Sequence, residues 1–241
     1  YIAVAVREKR PDSVDAGGWR SGIEQMPIIM QDAVDLSRHN PTLLLLLGAG
    51  MVGGLTLPMV ETFYQPFFAH LVGGSEGNSL LIGVITTGLY MMGVLGNMLS
   101  IPLSKRQHKR YALVAALSRG AQGLFLILLA LQTGVIPAIA LFWLVYMGMS
   151  LGNSPHLTLV NAEIPAERRS SMLSVQSLAS YVGGFIGTVG LGYIAQQSSV
   201  NQAWIVAGIV TVVSLLFYLG VERRQSPEQE PHEQESAVFE A

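Results

Sequence analysis

Residues 80–103 read LLIGVITTGLYMMGVLGNMLSIPL, and the chain continues Ser104-Lys105-Arg106-Gln107-His108-Lys109-Arg110. A run of that length without a formal charge is enough to cross a hydrocarbon core, which takes about 20 helical residues. Its cations crowd at one end only. The same grammar repeats along the chain, with apolar runs at about 42–64, 80–103, 111–131, 136–159, 172–195 and 203–219. The gaps between them alternate. Arg7, Lys9, Arg10, Arg20 and Arg38 precede the first run; Lys105, Arg106, Lys109 and Arg110 fill the second gap. Arg168 and Arg169 lie in the fourth gap, and Arg223 and Arg224 follow the sixth run. The gaps 65–79, 132–137 and 196–202 hold no Lys or Arg, and Arg119 alone sits inside a run. Cations gather on the cytoplasmic side of a bilayer, so both chain ends are expected there. The fold expected is an all-α membrane protein, a bundle of six transmembrane helices.

Composition agrees. Charged residues are 12% of the 241, against about 25% in soluble domains, and the mean hydropathy is +0.44. The apolar excess must face lipid. A net charge of −2 says little when the charges are sorted by loop. No Cys is present, which excludes disulfides, thiol chemistry and Cys-held metal. No cofactor, metal site or nucleic-acid partner is expected.

The segments outside the runs read differently. Tyr1–Val6 is apolar and meets Arg7-Glu8-Lys9-Arg10 at once, as the cytoplasmic end of a truncated upstream helix would. Residues 7–39 are expected to be a cytoplasmic linker, with a surface-lying amphipathic helix over Ile23–Leu36. The bundle is placed at 40–221, and the Glu-rich tail 222–241 is expected to be disordered and cytoplasmic. Tyr64, Phe67, Phe68 and Trp204 sit near run ends, where amphipathic rings favour the headgroup level.

Polar side chains at membrane depth face a bundle interior or a wet cavity. Glu61 is the one acidic residue inside a run, and Pro58, Glu61 and Gln65 share a helix face. That face is either a cavity wall carrying a protonatable carboxylate or a hydrated edge near the outer surface. Trp143, Tyr146, Met147, Ser150, Asn153 and Ser154 form a mixed face in the fourth run, suited to a drug-sized or sugar-sized solute or to packing on a neighbour. Thr86, Tyr90, Gly93 and Asn97 make a polar stripe in the second run. In the fifth, Ser174, Ser177, Tyr181 and Thr188 lie opposite Ser180, Gly183 and Gly187, and the Gly183-x-x-x-Gly187 pair would admit another backbone closely. Arg119 is expected to snorkel to the headgroups, and His156 to sit at headgroup level.

These residues resemble the C-terminal half of a major facilitator superfamily transporter. The likeness is most specific over Gly152-Asn-Ser-Pro-His156, the loop Asn161-Ala-Glu-Ile-Pro-Ala-Glu-Arg-Arg169 and the Gly-rich span ending Gly190-Leu-Gly192-Tyr-Ile-Ala195. The first span, entering on Asn40-Pro41 and leaving through Glu61-Thr-Phe-Tyr-Gln-Pro66, fits as well. The resemblance implies half of a 12-helix fold, partnered by an N-terminal six-helix half of the same protein. It implies that the first and fourth spans line a substrate cavity, through Glu61, Gln65, Trp143, Tyr146, Met147, Ser150 and Asn153. The second and fifth spans would meet the other half, through Thr86, Tyr90, Asn97, Ser177, Tyr181 and Thr188, while the third and sixth face lipid. One departure stands out: where the family's loop signature carries an acid, this chain has Ser100.

The function implied is secondary active transport of a small organic solute across the plasma (inner) membrane by alternating access, with protons and efflux as further expectations. A receptor or scaffold built on the same fold is the alternative. An intramembrane hydrolase using Ser154 and His156 is disfavoured, because two residues apart on a helix they point about 200° away from each other; the chain is expected not to be an enzyme. Tags at Gly74 and Ala241 should label from opposite sides of the membrane; labelling from one compartment would overturn the topology.

Overall fold

The computed structural model describes residues 38–73, 79–107, 110–165 and 169–225. The apolar Tyr1–Val6 segment, the amphipathic stretch 23–36 and the tail from 226 onward lie outside them. Six helices fill the described chain: α1 (Pro41–Leu71), α2 (Ser79–Arg106), α3 (Tyr111–Ala130), α4 (Val135–Ala162), α5 (Arg169–Gln197) and α6 (Val200–Gln225). All are long and apolar enough to cross a membrane, and no strand occurs among the described residues. Helices are what a lipid environment demands, because each backbone N–H and C=O must be satisfied within its own segment.

All of the helices but α3 are longer than the sequence boundaries. α1 passes through Gln65 and Pro66 to Leu71, keeping Pro58 and Pro66 inside it. Phe67 and Phe68 are buried there, so the apolar face resumes after the polar step. α6 turns at Ser214 and continues to Gln225, which makes Glu222 helical rather than part of the tail. At its start α1 is capped by Asn40, whose Oδ1 accepts from the Leu43 N–H at 3.1 Å, with Pro41 in the first turn, where its missing donor costs nothing.

Three contacts between helix ends fix the up-and-down order. Asn40 Nδ2 donates to Glu163 Oε2 at 2.9 Å, joining the start of α1 to the end of α4. Arg110 pairs with Glu222, joining the start of α3 to the end of α6. Asn201 Nδ2 donates to the Ala130 carbonyl at the opposite end. One end of the bundle therefore gathers Lys105, Arg106, Arg110, Arg169, Arg223 and Arg224, here termed the basic end. The other end of the bundle has none among the described residues.

Glycine sets which helices touch. A Cβ on Gly183 would lie 1.9 Å from the Met51 carbonyl oxygen, and one on Gly187 2.2 Å from that of Leu55, so α5 rides directly on the α1 backbone. Gly96 meets the Met147 carbonyl in the same manner, at 2.4 Å, seating α2 on α4. Gly123 and Gly208 face one another between α3 and α6. Two apolar cores result. The one away from the basic end holds an aromatic group: Phe68 edge-on to Phe142 at 5.5 Å, Phe142 tilted on Tyr146 at 5.1 Å, and Phe67 on Trp204 at 4.6 Å. Trp204 is fully buried in it, because α6 presents that face to α1 and α3. The core at the basic end is built on Leu43, Leu46, Ala112, Ala115, Leu159, Val160 and Tyr218.

The outer faces differ in kind. α3 turns Leu117, Leu124, Leu128 and Leu131 outward, and α6 turns Val206, Ile209, Val213 and Leu216 outward, purely apolar stripes suited to lipid. The lipid-facing role implied for these two helices holds for that one stripe only; the rest of α3 is the most enclosed of the six, 56% of its apolar window being buried. α2 and α5 are the least enclosed, at 17% each.

Replacing Gly183 by Ala forces the α1 and α5 backbones apart, and overpacking of this kind costs about 1–3 kcal/mol. The thermal unfolding midpoint in detergent should fall for Gly183→Ala and stay put for Gly192→Ala, where nothing lies within 4 Å. Equal midpoints would contradict the seam.

Candidate functional site: a cavity at mid-depth

Between α1, α2 and α4 lies a cavity of about 410 Å³ lined by Glu61, Leu89, Tyr90, Gly93, Val94, Asn97, Tyr146, Met149, Ser150 and Asn153. At 1.5 Å per residue, Tyr90 and Tyr146 stand about 16 Å from the helix ends opposite the basic end, and Asn97 and Asn153 about 27 Å. The cavity thus occupies the middle of the bundle. Polar and apolar groups alternate around it. Glu61 is exposed to it, and among the described residues no hydrogen bond or ion pair engages its carboxylate. Tyr146 is buried, yet its hydroxyl has no partner. A buried phenol without a partner is a cost of about 1–3 kcal/mol unless water or a ligand meets it.

Of the residues proposed from sequence for the cavity, the structure brings together Glu61, Tyr146, Ser150 and Asn153. Gln65, Trp143 and Met147 stand outside it. Trp143 packs against Gly88, where a Cβ would sit 2.2 Å from the indole, and its Nε1–H donates to the Ile85 carbonyl at 3.1 Å. Met147 meets Gly96 of α2 through its backbone. Both residues therefore hold α2 to α4. Gln65 is exposed and donates through Nε2 to the Tyr64 hydroxyl at 3.1 Å. The cavity-facing part of α4 is centred on Tyr146, Met149, Ser150 and Asn153, rotated from the expected stripe toward the missed Met149.

The residues proposed to meet another half divide similarly. Tyr90 and Asn97 line the cavity and are also exposed. Thr86 is engaged inside the bundle, its Oγ1 lying 3.2 Å from the Tyr64 hydroxyl. Ser177, Tyr181 and Thr188 lie on the open face of α5, with Tyr181 77% exposed. Gly183 and Gly187 occupy the opposite, buried face.

A second polar group, nearer the basic end, is closed to solvent. His156 is buried, with Nδ1 3.0 Å from the Tyr218 hydroxyl and Nε2 3.1 Å from Gln176 Nε2. If Gln176 donates, Nε2 accepts and Nδ1–H donates to Tyr218, an assignment from pairing. Ser180 Oγ donates to the Gly50 carbonyl beside it, so α1, α4, α5 and α6 converge on one imidazole. The small residues Gly50 and Ser180 leave a slot that admits the imidazole into the bundle interior. It is turned toward Tyr218 and Gln176, not Ser154, and no nucleophile–base pair forms there.

Arg119 does not snorkel. It is 7% exposed, donates from Nη1 to Gln122 Oε1 at 2.9 Å, and fills the space beside Gly53. Gln122 and Gly53 lie deeper than Arg119 along their helices, so the side chain reaches inward. Its Nε has no partner among the described residues. No group of His, Cys, Asp and Glu among the described residues is arranged to hold a metal.

A family model described as Major Facilitator Superfamily matches residues 42–241, a range that includes the cavity and nearly all of the six helices. No curated protein and no solved structure matches the chain.

Tyr218→Phe would strand the His156 Nδ1–H in a buried site, at a cost of about 1–3 kcal/mol. The thermal unfolding midpoint in detergent should drop accordingly. An unchanged midpoint would show that His156 is not tied to α6.

Proposed function

The chain belongs to the major facilitator superfamily and is a membrane transporter of that type, and we propose that it carries a small organic solute as a secondary active transporter. The observation that carries the proposal is the mid-depth cavity: three helices converge there on an unengaged carboxylate, an unpartnered phenol, two amides and a hydroxyl. In our reading Glu61, Tyr90, Asn97, Tyr146, Ser150 and Asn153 hold the solute, while Trp143 and Met147 fix the wall behind them. A volume of about 410 Å³ falls in the range of sites for drug-sized ligands, before any contribution from a facing half.

The partner proposed is an N-terminal six-helix half of the same protein, seated on the open faces of α2 and α5. Support comes from those two helices being the least enclosed while exposing Tyr90, Met91, Met98, Tyr181, Phe185 and Tyr193. Residues Asn97, Ser177 and Thr188 would supply polar contacts across that seam. Alternating access is then the rocking of one half against the other about a site at the midplane. At the position of the family's loop acid, Ser100 is buried, so no carboxylate contact is assigned to gating there.

The sorting of cations to the basic end supports a plasma-membrane orientation with both ends of this chain in the cytoplasm. Coupling to protons is assigned to Glu61, the one carboxylate in the cavity wall among the described residues. Its place in the wall of a cavity at the middle of the bundle would present it to one side of the membrane and then the other as the halves rock. The direction we propose is efflux, driven by protons that enter down their gradient in exchange for the solute.

In proteoliposomes holding the full-length protein and a pH dye, a transported solute should move protons. Glu61→Gln should abolish proton-driven accumulation, and no proton movement should accompany any solute flux that remains. Coupling that survives the substitution would remove Glu61 from this role.

A further inference from the structure

The charge balance of the cavity points to its ligand. Glu61 brings a formal negative charge to mid-depth, and no Lys, Arg or His lines the cavity with it. The nearest intramembrane cation by sequence depth, Arg119, is walled off. Gly148 and Gly152 of α4 lie against Gln122 and Ser118 of α3. Two residues on from Tyr146 and Ser150, they occupy the far side of α4, about 200° round the helix. The helix thus stands between the guanidinium and the cavity, and Arg119 spends its Nη1 on Gln122.

The remaining wall suits one class of ligand. Tyr90, 69% exposed, and Tyr146 offer ring faces, and an aromatic face attracts a cation placed within about 6 Å of it. The Tyr146 oxygen, buried and unpartnered, and the carboxylate of Glu61 both accept hydrogen bonds. Leu89, Val94 and Met149 supply an apolar surface, and a thioether adapts to varied shapes. An anion would meet Glu61 with like charge, and a neutral solute would leave the carboxylate uncompensated at membrane depth.

We infer that the solute is a protonated amine with an apolar, drug-sized body. Its ammonium N–H groups bond the Glu61 carboxylate and the Tyr146 oxygen, and its hydrocarbon part lies on Leu89, Val94 and Met149. This rests on the transport reading given above and adds the charge and class of what is carried.

The test uses three probes of one skeleton on the purified full-length protein at neutral pH: 3-phenylpropylamine, its N-acetyl derivative and 4-phenylbutyrate. Binding is measured calorimetrically. The amine should bind saturably and at least about tenfold more tightly than either of the others. Glu61→Gln should bring the three affinities together, and Glu61→Asp should keep the order. Tyr146→Phe should weaken the amine more than the amide. Absence of saturable amine binding up to millimolar concentration would overturn the inference, as would equal or tighter binding of the amide or carboxylate, or a preference that survives Glu61→Gln. Thermal unfolding of each variant verifies that it is folded. Proteoliposome exchange of the same probes separates the two readings. An amine that binds with this preference yet never crosses would sink transport and leave the site's chemistry. A neutral or anionic probe that binds more tightly and crosses would do the reverse.

Discussion

Hydrocarbon solvent gives apolar side chains little reason to seek one another, so close backbone approach must hold these helices together. The contact on which the bundle depends is the seam of Gly183 and Gly187 against the Met51 and Leu55 carbonyls. It locks α5 to α1 by one face and leaves the other face, with Tyr181 and Thr188, open. Gly88 and Gly96 do the same for α2 on α4, and Gly123 with Gly208 for α3 on α6. Three glycine-mediated pairs thus decide which surfaces are consumed inside the bundle. The surfaces left over are the lipid stripes of α3 and α6 and the open faces of α2 and α5.

Every polar group then has to be accounted for in a medium that solvates none of them. Those near the ends cap or cross-link helices, as Asn40 does with Glu163 and Asn201 with the Ala130 carbonyl. Thr56 and Thr211 meet each other at 2.8 Å across α1 and α6. His156 joins α4 to α6 through Tyr218 and to α5 through Gln176. Among the groups these pairings leave over, Glu61, the Tyr146 hydroxyl, Ser150 and the amides of Asn97 and Asn153 collect around one space, while Arg119 Nε, Gln176 Oε1 and Trp204 Nε1 stay unpartnered within the packing. That residue of unspent polarity at mid-depth is the physical content of the functional assignment.

Span number and the alternation of charged loops were legible in the sequence because run length and loop charge are local properties. The stripes were legible because a 3.6-residue period survives in any helix. Their aim was not. Trp143 lies about 60° and Met147 about 100° round α4 from Tyr146, on the flank where Gly88 and Gly96 of another helix turn them into packing residues. Met149 escaped notice because the sequence alone does not say which of two thioethers, Met147 or Met149, faces the cavity beside Tyr146. The burial of Arg119, His156 and Trp204 inside the bundle was not legible for a related reason. It depends on slots made by Gly53, Gly50 and the α1–α3–α6 core, which lie far away along the chain. The extension of α1 beyond Pro66 shows the converse, a local breaker overruled by the buried Phe67 and Phe68 that follow it.

The central claim is that water and solute reach the middle of this bundle beside α4. The most direct measurement is the reaction of a membrane-impermeant thiol reagent with single cysteines in the full-length protein, on a background free of other reactive cysteines. Ser150→Cys, about 18 Å from the basic end of α4, should react and be protected by a transported solute. Leu124→Cys, at about 20 Å on the outward stripe of α3, should remain inert. An unreactive Ser150→Cys, or equal reaction at both positions, would contradict a wet cavity and with it the carrier account.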